Sequence, residues 1–79
     1  MTIIVNDKLY SIDQICELFK IENFNLSYIE KTVGLNIKRN NDSEKIYNQN
    51  NIKTLKLIFE LNDIGLDYKE VKRVLNQYN

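Results

Sequence analysis

The sequence predicts a mainly α fold with a small β wing, containing four helices and one or two short hairpins in a single domain over residues 1–79. Three observations carry that expectation. Apolar residues recur at helical spacing in four separate stretches. Capping residues and two glycines separate those stretches. The polar run Asn40-Asn41-Asp42-Ser43-Glu44 lies between two short segments of period-two alternation, the pattern of a β-hairpin. A chain of 79 residues has material for one hydrophobic core.

Taken in order, Ile3 to Val5 read as a short β-branched strand, Asn6-Asp7 as a turn and Lys8-Leu9-Tyr10 as a returning strand. Ser11 then caps the first helix, with Gln14 completing a capping box. Ile12, Ile15, Cys16 and Phe19 form its apolar stripe, widened by Leu18. Cys16, inside that stripe, reads as a small core residue. Asn25 or Ser27 caps a second helix running to about Val33, with Leu26, Ile29 and Val33 facing inward. Gly34 ends it at a position that calls for positive φ.

Leu35 to Arg39 and Lys45 to Tyr47 are the arms of the hairpin, joined by a loop of five residues. Asn48 caps a third helix, whose apolar face is Ile52, Leu55, Ile58, Phe59 and Leu61 and which closes near Asn62-Asp63. After Gly65, Asp67 caps the last helix, and Glu70 completes a second capping box. Tyr68, Val71, Val74, Leu75 and Tyr78 form its apolar face. Two short helices joined tightly and followed by a hairpin make a winged helix-turn-helix.

Composition narrows the function classes. Apolar residues make up 43% and charged residues 28%, as in an ordinary globular domain. No apolar run approaches the roughly 18 residues of a membrane helix, and no basic region precedes Thr2 to Val5 as in a signal peptide. No membrane association and a cytoplasmic location are therefore expected. With one cysteine and no histidine, the chain lacks both a disulfide framework and a ligand set for zinc. It has no paired nucleophile and base and no phosphate-cradling glycine loop, so neither catalysis nor a cofactor is expected.

The formal net charge is zero, from 11 basic and 11 acidic residues, but the charges are unevenly spread. Residues 36–56 carry +3, from Lys38, Arg39, Lys45, Lys53 and Lys56 against Asp42 and Glu44. The flanks are net acidic, at −2 before and −1 after. A positive middle of this kind suits phosphate. A solvated face without a partner remains the other reading.

The ordered set of residues resembles the DNA-binding domain of MerR-family regulators, from about Leu9 to Leu75. The family opens with an aromatic, a small capping residue and an Ile-led helix, as in Tyr10-Ser11-Ile12-Asp13-Gln14-Ile15. Its second helix ends in an aromatic, Glu-containing segment before Gly-Leu, as in Tyr28 to Leu35. Its wing begins at an Arg and ends in an aromatic, as at Arg39 and Lys45-Ile46-Tyr47. Ile52, Leu55, Ile58, Leu61, Gly65, Leu66, Val71 and Leu75 follow the family's order. Ser27 and Lys45 stand where members usually carry Arg.

The resemblance implies a binder of double-stranded DNA, a small transcriptional regulator or a recombination accessory factor of the excisionase kind. Its second helix would enter the major groove and present Asn25, Ser27, Tyr28, Glu30, Lys31 and Thr32. Asn and Lys pair with base edges, whereas Ser, Thr and Tyr hold phosphates. Lys38, Arg39, Asn40, Asn41 and Lys45 would serve the wing on phosphate or in the minor groove. Lys53 and Lys56, three apart, would follow the backbone. Tyr47 is expected to pack beneath the wing. The long dimerisation helix of full regulators has no counterpart after Leu75, so a mainly monomeric chain, at most pairing weakly on DNA, is expected. The competing reading is a protein-interaction module on the same scaffold, with its positive patch incidental.

Overall fold

The computed structural model describes residues 8–77. Their elements are β1 (Tyr10–Ser11), α1 (Ile12–Phe19), α2 (Asn23–Val33), β2 (Lys38–Arg39), β3 (Lys45–Tyr47), α3 (Gln49–Asp63) and α4 (Tyr68–Gln77). Four helices and a small sheet realise the expected mainly α winged helix-turn-helix fold. The expected strand Ile3 to Val5, the Asn6-Asp7 turn and Tyr78 lie outside the described residues.

The sheet is antiparallel, in the order β1-β3-β2. Tyr10 therefore pairs with Tyr47, and Ser11 with Ile46, across the edge of the wing. Lys8 and Leu9, expected to continue a strand, lie outside β1. On the other side Lys38 pairs with Ile46 and Arg39 with Lys45. The first arm of the hairpin is shorter than expected. Leu35 and Ile37 turn their side chains onto the core instead of extending the ladder.

The helix starts follow local chemistry where a good cap is available. Ser11 Oγ accepts from the Gln14 amide at 3.2 Å, and the Gln14 side chain accepts from the Ser11 amide at 2.8 Å. Asp67 and Glu70 exchange the same two bonds at 2.8 and 3.0 Å. Asn48 forms a third box, in which Asn51 fills the role usually taken by Glu or Gln.

The start of α2 differs from expectation. Its N-cap is Glu22, which makes no side-chain cap bond, so Asn25 and Ser27 lie inside the helix. The reason is tertiary. Lys20 closes α1 in the left-handed region, at φ 56°, and the Ile21 amide donates back to the Cys16 carbonyl at 3.0 Å. This tight turn sets Ile21 and then Leu26 against the core, and packing overrides the weak preference for a polar cap.

One core cluster joins all four helices to the sheet: Ile15, Leu26, Ile29, Val33, Tyr47, Leu55, Ile58 and Val71. Cys16 packs at its margin, half-buried, whereas Leu18 is exposed and does not widen the stripe. Helix α2 packs against α4 and α1, and α3 against α4. No helix among the described residues is long and apolar enough to cross a membrane.

Candidate nucleic-acid interface

Helix α2 and the β2–β3 hairpin share one corner of the molecule because Glu30 joins them. The Glu30 side chain is buried and holds two groups of the hairpin. Oε1 accepts from Lys45 Nζ at 2.8 Å, and Oε2 accepts from the Tyr47 hydroxyl at 2.5 Å. Lys45 Nζ also lies 3.5 Å from Ser27 Oγ. A carboxylate this deeply buried needs both a counter-charge and hydrogen bonds to offset its desolvation, and it has both.

This arrangement corrects one expectation for the outer face of α2. Glu30 points inward and carries no negative charge into solvent. Lys45 is turned towards it, with 19% of its side chain exposed, and acts as a brace between wing and helix. Tyr47 packs beneath the wing as expected and is fully buried. Burial, then its bond to the Glu30 carboxylate, pushes its phenol well above the ordinary tyrosine pKa, so it stays a proton donor. Cys16 is also shifted upward, first by burial and then by the nearby Asp13 and Glu30 charges. A protonated thiol is a poor nucleophile.

The rest of α2 sorts by direction. At about 100° per residue, Phe24, Tyr28 and Lys31 fall within about 60° of arc, opposite the buried Leu26, Ile29 and Val33. All three are exposed, as are Asn23 and Asn25 on either side of Phe24. Ser27 is half-buried on the side of the wing, and Thr32 is half-buried too. Tyr28 meets Tyr68 of α4 edge to face, with centroids 6.5 Å apart. Together with Asn25 and Phe59 these rings line a groove of about 530 Å³.

In the hairpin, Lys38, Arg39, Asn40 and Asn41 are exposed. Arg39 Nη1 donates to the Ser43 carbonyl at 2.7 Å. This single bond leaves other guanidinium donors for a phosphate. Asn40 is the loop's organiser. Its Oδ1 accepts from the Asp42 and Glu44 amides at 2.9 and 3.0 Å, and its Nδ2 donates to Glu44 at 3.2 Å. Ser43 takes a left-handed φ of 63° to close the turn.

Lys53 and Lys56 are exposed on α3, the helix that packs on α4. Among the described residues no hydrogen bond joins either to the hairpin or to α2. The positive middle of the sequence thus resolves into three parts: wing-tip cations, a neutralised Lys45, and cations on a separate helix. Phe24, at 68% exposed, is absent from the residues singled out by sequence. Its position opposite Leu26, Ile29 and Val33 on the helical wheel is the signal that places it outside.

The profile of the MerR HTH family regulatory protein matches residues 10–78, from β1 through α4. Comparison with curated proteins gives no match. The profile covers most of the chain, and the observed fold has the helix-turn-helix and wing the family requires. Both support a general DNA-binding regulatory role. The chain belongs to the MerR HTH family of regulatory proteins.

Proposed function

We propose that this chain is a non-enzymatic, sequence-specific binder of double-stranded DNA, acting as a small transcriptional regulator or recombination accessory factor. In this reading α2 lies in the major groove, and the hairpin touches the flanking backbone. The Lys45–Glu30–Tyr47 brace is the observation that carries it. The brace removes the one acid of α2 from solvent and fixes the wing to the helix. Lys31, Lys38 and Arg39 remain exposed. A rigid pair of elements has less conformational freedom to lose on binding. Lys31, Asn25 and Tyr28 then serve the groove, and Lys38, Arg39 and Asn41 the phosphates, with Asn40 shaping the loop.

The test is selection of preferred duplexes from a random pool at near-physiological salt, followed by titration at several salt concentrations. Arg39→Ala should weaken preferred and random duplexes alike and reduce the salt slope by about 1. Lys31→Ala should instead narrow the gap between them, by roughly 1–3 kcal/mol for a lost base contact. The second reading, a protein-interaction module, is favoured by the exposed Phe24, Tyr28 and Ile64. It holds if no duplex in the pool binds wild type even at low salt.

A further inference from the structure

The outermost line of α2 is aromatic at its centre and polar at its margins. Phe24 is 68% exposed and Tyr28 61%. A large apolar ring held in water on a well-packed helix forgoes the stabilisation that burial would bring. Two carboxamides flank the Phe24 ring, Asn23 on the side of the wing and Asn25 on the side of the groove beside Tyr68. Among the described residues no side-chain hydrogen bond engages either carboxamide. Lys31 continues the same line two turns on, and with Glu30 neutralised by Lys45 the body of the helix shows no acid to solvent, its exposed acid being Glu22 at the N-cap.

The occupant that fits this chemistry is a run of A·T pairs in the major groove. There thymine presents its C5-methyl group, the one apolar feature of the groove, and a Phe ring can cover it. Adenine beside it presents N7 as acceptor and N6 as donor, which a carboxamide matches with one donor and one acceptor. A guanine in that place offers two acceptors, O6 and N7, and leaves the Asn carbonyl without a donor. Lys31 suits a guanine at the far end. A partner protein could also cover Phe24 and Tyr28, and the test below separates it from DNA.

We infer that Phe24 is a specificity-determining residue. It packs on thymine methyl groups while Asn23 or Asn25 pairs with adenine, so the preferred site carries A·T pairs under the first turn of α2. This inference rests on the DNA-binding reading and adds the base composition of the site.

The experiment compares a preferred duplex with versions in which single thymines are replaced by deoxyuridine, which removes the methyl and keeps every pairing group. For wild type, one or two positions should lose affinity about fourfold, the equilibrium effect of one buried methyl-sized group. Phe24→Ala should bind the thymine duplex more weakly and become indifferent to the replacement. Phe24→Leu should keep part of the sensitivity. Phe24 lies outside the core, so equal melting temperatures confirm that the variants are folded.

If wild type binds a preferred duplex with equal affinity after every replacement, the inference fails and the DNA reading stands. A G·C preference beneath the first turn has the same meaning. Failure of every duplex to bind at low salt removes both. If Phe24→Ala abolishes self-association in sedimentation and leaves duplex affinity intact, the aromatic line belongs to a protein contact.

Discussion

A carboxylate on a helix proposed to face DNA would repel phosphate unless it is turned away or neutralised, and Glu30 is both. Its cost is desolvation, and Lys45 and Tyr47 offset it. Lys45→Ala should lower stability by about 1–3 kcal/mol, since a carboxylate 5% exposed loses its counter-charge. Urea unfolding decides this; a change within error would show that the pair contributes no net stabilisation. The Tyr47 phenol adds a pH dependence. Its folded pKa lies above the unfolded value of about 10. Its contribution is therefore fully present below pH about 10 and declines as pH rises further, because the unfolded chain releases the proton first. The slope should approach about 1.4 kcal/mol per pH unit for this one group. Unfolding midpoints measured between pH 9 and 11 should fall more steeply for wild type than for Tyr47→Phe. Parallel curves would remove Tyr47 as the cause.

At the level of elements, the ends of helices and turns hold α2 and the wing in shape. Gly34 closes α2 at φ 85°, and its amide and that of Leu35 both donate to the Glu30 carbonyl, at 2.9 and 2.8 Å. Gly34 therefore sets where the chain leaves α2 for the wing. A Cβ here would sit 3.7 Å from Lys72 Cε, so space is available and backbone strain is the obstacle. Gly34→Ala should cost about 1–2 kcal/mol, the energy of placing an L-residue in the left-handed region. Asn48→Ala removes a reciprocal cap between wing and α3 and should cost about 1 kcal/mol. Thermal unfolding checks both. A neutral Gly34→Ala would mean that the turn relaxes to negative φ.

At the scale of the whole molecule, one small core supports every element that carries a candidate contact. Ile15 on α1 and Leu55 on α3 are fully buried in it. Ile15→Ala and Leu55→Ala should each destabilise by about 2–5 kcal/mol, through lost transfer energy and the cavity left behind. Denaturant titration measures this, and losses below about 0.5 kcal/mol for both would contradict the core assignment. The Phe19–Phe59 contact, with centroids 5.0 Å apart, ties α1 to α3 in the same way as Tyr28–Tyr68 ties α2 to α4. Because α2 packs on α4 and its Glu30 grips the hairpin, loosening the core should also loosen the geometry of the proposed DNA face.

The apolar periodicity and capping chemistry of the chain are local, so the four helices, the five-residue wing loop and the capping roles of Ser11, Asn48 and Asp67 could be read from residue order. The pattern around Gly34 marked the end of α2 for the same reason, since positive φ is a property of one residue. Folding alone decided what depends on distant residues. Tyr10 pairs with Tyr47 because the edge of β3 is brought beside it. Glu22 heads α2 because Ile21 and Leu26 are drawn to the core ahead of any better cap. Glu30 and Lys45, fifteen residues apart, look like surface charges until packing places them 2.8 Å apart, where burial makes each the other's necessary partner.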